Sequence, residues 1–235
     1  MTNQISTQIV DLRSNPVREL NQALHSLSGG GSSKHWRVLH PLGAHAVAAG
    51  LDADVTVEID GDVGYYCAGM NQRAIVIVNG SAGPGVGENM MSGRIYVRGD
   101  ASSAAGATAR GGTLVIDGNA SARCGISMKG IDIVVKGSIG PMSAFMAQEG
   151  TLTVFGDAGE ALGDSIYEAK LFVRGKVKSL GADCIEKPME DQHFRELFEK
   201  LKEAGVAHEI DVTDFRRYGS ARNLYHFHVD NAGAY

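Results

Sequence analysis

The amino-acid sequence predicts an all-β chain: a right-handed, single-stranded β-solenoid (β-helix) of seven coils with a repeat of nineteen, and with short helical flanks at both ends. Three observations carry this. Glycine recurs at 61, 80, 99, 118, 137, 156 and 175, with the same interval every time. Two residues before it stand Ile59, Val78, Val97, Ile116, Val135, Val154 and Val173, and four before it Val57, Val76, Ile95, Leu114, Ile133, Leu152 and Leu171. Seven residues after it only Gly or Ala occurs, at Ala68, Gly87, Gly106, Gly125, Ala144, Gly163 and Ala182. Aliphatic residues separated by one position share a face of a strand. A position that never exceeds a methyl group marks a tight corner.

Each coil therefore holds one short strand whose inner face is aliphatic and whose glycine ends it. The residue before that glycine is polar in every coil but one (Asp60, Asn79, Arg98, Asp117, Lys136, Arg174; Phe155 is the exception) and is expected to face solvent. A unit this small cannot bury its apolar face alone, so successive coils stack and the aliphatics form columns. At about 4.8 Å per coil, seven coils make a rod roughly 34 Å long. Propeller blades need about 40 residues, and the Leu/Asn ladder of leucine-rich repeats is missing.

The flanks follow the same logic. Residues 1–39 read as a helical, flexible entry: Asn15 caps a short helix, Pro16 takes its first turn, and Val17, Leu20, Leu24 and Leu27 lie at helical spacing. Ser28 to Ser33 reads as a joint. The β-helix domain spans 40–190, with His40 to Gly50 as a degenerate entry turn. Residues 191–235 open on a helix from Asp191 to Gly205 with an apolar stripe of Phe194, Leu197, Phe198 and Leu201, expected to cap the open end of the solenoid. Beyond it Arg216, Arg217, Tyr218, Arg222, Tyr225, His226, Phe227 and His228 interleave cations with aromatics. Arg and aromatics are the residue types enriched at interface hot spots, so this tail is read as docking on a partner, or else as folding back over a solenoid edge.

Bulk properties exclude several classes. The net charge of −5 over 235 residues gives no electrostatic reason to expect nucleic acid. No apolar run is long enough for a membrane span. The N-terminus lacks the apolar core of a secretory signal, and three scattered cysteines favour a reducing cytoplasm. Cys67 and Cys124 occupy one repeat position three coils apart, on the order of 14 Å, too far for a disulfide. His226 and His228 would share a strand face, but two ligands do not make a metal site. Gly83 to Gly87 contains GxGxG without the strand, helix and acidic residue of a dinucleotide fingerprint. Glu88, Glu149, Glu160 and Glu168 read as single solvated carboxylates out of register. No catalytic, cofactor or metal residue is assigned on this chain.

The I/V-x-V-x-G pattern with GxGxG corners resembles the β-helix module named for its GXGXG motif, over about residues 40–190. That module forms the C-terminal part of the large glutamate synthase subunit and a subunit of formylmethanofuran dehydrogenase and formyltransferase/hydrolase complexes. Gly80 to Gly93 and Asn223 to Asp230 look most like the free-standing version, the small subunit of N-methylglutamate synthase and similar GlxC-type proteins. The resemblance implies a non-catalytic subunit that braces a class II glutamine amidotransferase-like subunit against a glutamate synthase-like subunit carrying FMN and an iron–sulfur cluster, in methylamine and glutamate metabolism. The alternative it leaves is a formyltransferase/hydrolase subunit of one-carbon metabolism. A stand-alone groove enzyme would show aligned charged residues over several coils.

Overall fold

The structure, a computed structural model, describes residues 7–29 and 34–222. In chain order its elements are β1 (Thr7–Asp11), α1 (Val17–His25), β2 (His35–Leu39), β3 (Thr56–Asp60), β4 (Ile75–Val78), β5 (Arg94–Val97) and β6 (Thr113–Ile116). There follow β7 (Lys129–Val135), β8 (Glu149–Val154), β9 (Lys170–Val173), β10 (Cys184–Lys187), α2 (Asp191–Glu203) and β11 (Arg216–Ser220). From β3 to β9 each strand pairs in parallel with the next, and Val57, Val76, Ile95, Leu114, Ile133, Leu152 and Leu171 stack in one column. Of the fourteen inner aliphatics none is more than 1 % exposed. The chain is a β-solenoid, as the constant glycine interval requires.

A second column runs through the small apolar residue two positions after each glycine, where single parallel bridges join Val63, Ala82, Ala101, Ala120, Ile139, Ala158 and Val177. Between the two columns the backbone alternates. In the coil after Gly118, Arg123, Gly125 and Ser127 are left-handed (φ 61°, 68° and 51°). Met142, Ala144 and Met146 repeat the pattern in the next coil. Left-handed φ costs an L-residue roughly 1–2 kcal/mol, but here it turns successive amides toward opposite neighbours. Gly125 N–H donates back to Ala105 O (2.8 Å), while Arg123 and Ser127 donate forward to Pro141 O (3.0 Å) and Phe145 O (2.8 Å). These amides thus find backbone partners within the stack. The middle residue of the three points into the core. A Cβ on Gly125 would lie 3.2 Å from Met128 Sδ, and one on Gly106 would lie 2.6 Å from Ile133 Cδ1. The small-residue rule thus has two causes acting together.

The position just after each glycine adds a ladder that the period alone does not reveal. Asp62 Oδ1 accepts from Ser81 N–H (2.7 Å), Ser81 Oγ from Asp100 N–H (3.2 Å), and Asp100 Oδ1 from Asn119 N–H (2.7 Å). Asn119, Ser138 and Asp157 continue it in the next three coils at 2.9, 2.9 and 2.7 Å. Each short side chain occupies the amide that its neighbour would otherwise leave to water.

The flanks depart from expectation at the cap of α1, in the place of α2 and in the element that closes the solenoid. Pro16, not Asn15, is the N-cap of α1, and Asn15 Nδ2 instead donates to Asp11 O (2.9 Å). The helix is clamped by Asn21, which donates to Ala46 O (2.8 Å) and accepts from Ala48 N–H (3.0 Å). Only part of the Ser28–Ser33 joint is described: Ser28 and Gly29 end a 3-10 turn, and residues 30–33 lie outside the described residues. Helix α2 does not sit over the end of the solenoid. Its Leu197 and Leu201 join Val115, Val134, Phe155, Phe172 and Phe215 in a second buried cluster on the outer face of the sheet, while Phe198, expected in the buried stripe, is exposed. Phe155 is buried there for the same reason, edge-to-face with Phe215 (5.8 Å between centroids). This end of the sheet is closed by two antiparallel strands: β11 inserts between β9 and β10 and sets Tyr218 opposite Leu171, extending the inner column, and β10 is the outermost strand. At the other end β1 and β2 continue the sheet in parallel.

Candidate functional site

The eight residues of the expected docking tail fall into two groups. Tyr225, His226, Phe227 and His228 lie outside the described residues. Arg216, Arg217 and Tyr218 are in β11, with Arg222 two residues after it. Tyr218 is only 2 % exposed, and burial pushes its phenol above the usual tyrosine range. Arg216 is exposed. Its Nη2 donates to Gly175 O (2.7 Å), and its guanidinium lies 5.9 Å from the Tyr218 ring centre. Arg217 donates from Nε and Nη2 to Pro188 O (3.1 and 2.9 Å). Arg222 pairs with the Asp183 carboxylate. These bonds hold the described part of the tail to the solenoid.

Beside this strand opens a groove of about 660 Å³. Its floor is the outer face of the sheet, with Asp132, Thr151 and Lys170 in successive strands β7, β8 and β9; α2 walls it with Glu196 and Lys200; Lys187 and Arg217 come from β10 and β11, and Arg222 from just after β11. Thr151 Oγ1 donates to Asp132 Oδ1 (2.7 Å), Lys200 pairs with Asp132 (2.8 Å), and Lys170 grips both Glu196 oxygens (2.6 and 2.8 Å). Glu149 and Glu168 also line it. The expectation that these carboxylates are out of register is corrected: their separation equals the coil period, and Glu168 N–H donates to Gln148 O (2.8 Å), which places them in adjacent coils. Of the cationic lining, the sequence points to Arg217 and Arg222 but not to Lys170, Lys187 or Lys200. Lys187 lies beyond the last repeat, where no period assigns it a face.

A second surface lies at the opposite end. Leu42, Tyr65, Tyr66 and Met70 are each at least half exposed. His45 stacks on Tyr65 at 4.5 Å and Tyr65 meets Tyr66 edge-on at 6.5 Å. His45 Nδ1 accepts the Tyr65 N–H (3.0 Å), which leaves its ring proton on Nε2. His40 lies against Asp11 (3.1 Å), and His193 Nδ1 accepts from Glu190 N–H at the start of α2 (3.1 Å). Among the described residues no three His, Cys, Asp or Glu side chains gather as a metal site. Cys67, Cys124 and Cys184 are free and buried, and burial pushes the thiols of Cys67 and Cys124 up to about 12. Among the described residues no helix is long and apolar enough to cross a membrane.

No protein-family model matches the chain. Among solved structures, 86 % of it superposes on 89 % of a chain in the crystal structure of the formyltransferase/hydrolase complex (FhcABCD) from Methylorubrum extorquens in complex with methylofuran, with a TM-score of 0.66 and 26 % identity. It is 66 % identical over 227 residues to protein GlxC of Rhizobium meliloti (strain 1021), a match covering 97 % of this chain and 99 % of that protein. An identity that high, along nearly the whole of both chains, takes in the coils, the flanks and the cap together: the chain belongs to the GlxC family.

Proposed function

We propose that the chain is a non-catalytic structural subunit of a glutamate synthase-like complex of the N-methylglutamate synthase type. It braces a class II glutamine amidotransferase-like subunit against a synthase-like subunit that carries FMN and an iron–sulfur cluster. The observation that carries the subunit reading is the superposition, over most of its length, on a chain taken from a multi-subunit complex. Two features support a bracing role. The stacked coils form a rigid body with an aromatic surface at Tyr65 and Tyr66 and a basic strand at Arg216 and Arg217 at its other end. Exposed aromatic and Arg side chains on a preorganised surface bind partners with little ordering cost.

The same superposition favours a second reading, a subunit of a formyltransferase/hydrolase-type complex of one-carbon metabolism. One experiment separates them. The chain is tagged at its native locus, purified under mild conditions, and its partners are identified by mass spectrometry with an absorbance scan for flavin. Stoichiometric recovery of amidotransferase-like and flavin-bearing chains supports the first reading. Recovery of formyl-transfer chains supports the second. Recovery of the chain alone refutes both.

A further inference from the structure

We propose that Lys187 and Arg217, side by side in the groove against α2, form a binding site for a small oxyanion, a carboxylate or a phosphate. The two residues are direct cross-strand partners in the β10–β11 ladder, and both line the groove. Like charges directly opposite each other destabilise an antiparallel pair, so this arrangement persists at a cost unless an anion joins it. The groove does not supply that anion from its own walls. Glu196 is held by Lys170, Asp132 by Lys200, and Asp183 by Arg222. Among the described residues no carboxylate makes an ion pair with Lys187 or Arg217, and Glu190 and Glu196 act on Arg217 only from farther away.

The Arg217 guanidinium is also preorganised. Pro188 O fixes it through Nε and Nη2 at 3.1 and 2.9 Å, and Nη1 remains for a ligand. A planar fork fixed on one edge meets an oxyanion with little entropy left to lose. Both side chains are half-buried, where charge interactions are less screened than at an open surface. Nearby His193 is held below the usual histidine range, first by burial and then by the Arg217 charge, with Glu190 and Glu196 opposing. The volume, about 660 Å³, suits a small organic anion. Glu149 and Glu168 on the same groove disfavour an extended polyanion. This site shares Arg217 with the basic strand invoked for bracing, but its test reads anion binding by this chain alone, so its failure leaves that reading untouched.

The test is thermal unfolding of the full chain titrated with sodium phosphate and, separately, sodium succinate, each against sodium chloride at matched ionic strength. A saturable rise in Tm with either anion, absent with chloride, is expected. A rise with phosphate alone assigns a phosphate ligand, and a rise with succinate alone assigns a carboxylate. Lys187→Gln, which removes the like-charge pair, should have a chloride Tm no lower than the parent's and should weaken apparent anion binding at least tenfold; Lys187→Glu should abolish it. No rise beyond chloride with either anion overturns the proposal, as does an undiminished rise in both Lys187 variants.

Discussion

Val135→Asp places a carboxyl in the middle of the inner column, where Val135 is fully buried between Ile116 and Val154 of the adjacent coils. Its neighbours in that column are aliphatic and offer no counter-charge. The charged form is excluded, so the folded state keeps the group neutral and its pKa is raised. In the unfolded chain it ionises at about 3.9. A carboxyl raised on folding is neutral in both states at low pH and adds no pH-linked cost there. Above a pH of about 3.9 the unfolded state loses the proton alone, and stability falls by about 1.4 kcal/mol per pH unit. The penalty is about 1.5 kcal/mol at pH 5 and about 4 kcal/mol at pH 7, on top of the pH-independent cost of seating a neutral carboxyl in an aliphatic site. A domain with about 5–15 kcal/mol in total feels this as partial or complete unfolding. Urea unfolding of wild type and variant at pH 5 and pH 7 measures it, and the stability difference should widen by about 2–3 kcal/mol between the two. A difference that does not change with pH would mean that position 135 is reached by water and that the inner column is misassigned.

Three further outcomes follow from the packing. Gly125→Leu meets both a left-handed φ and Met128 Sδ at 3.2 Å; a loss of about 2 kcal/mol or more is expected, and an unchanged melting curve would contradict the corner geometry. Asn21→Ala removes both hydrogen bonds that clamp α1, so amide exchange across 17–25 should accelerate while the exchange of β5 to β8 stays slow; uniform acceleration would show that α1 is not a separate cap. Cys67 and Cys124, raised to about 12 by burial, stay neutral in the fold while unfolded thiols ionise above about 8.5; they should resist iodoacetamide at pH 8 in the folded chain and react in urea, and stability should fall as pH rises past 9. Rapid alkylation of the native chain at pH 8 would place these thiols at the surface.

The coils are legible in the sequence because their cause is periodic. Each inner aliphatic is required by the column it joins, so Val57 and Leu171, at its two ends, are assigned by the same rule. The Asp62–Asp157 ladder is equally periodic yet easily missed, because short polar residues after a glycine read as turn formers, not as acceptors for the next coil. The outer cluster has only a partial signal: the residue three before each glycine runs Glu58, Ile77, Tyr96, Val115, Val134, Thr153 and Phe172, and Ile77 is apolar without joining the cluster under α2 while Thr153 interrupts it. The register of Glu149 and Glu168 is a matter of subtraction. What no period can supply lies past the last repeat. Tyr218 continues the inner column from an antiparallel strand far along the chain from its neighbour in the sheet, and Lys187 and Arg217 become partners only through that long-range pairing. Long-range antiparallel closure leaves no local signature, so a strand that caps the solenoid reads as an aromatic tail.

The bracing role is tested most directly by glutamine-dependent turnover of the reconstituted complex with and without this chain. Without it, turnover supported by glutamine should be lost while turnover supported by free ammonia or methylamine remains, because each partner keeps its own chemistry and only their coupling fails. Glutamine-dependent turnover that is unchanged in its absence, or glutamine hydrolysis by the purified chain alone, would contradict the account.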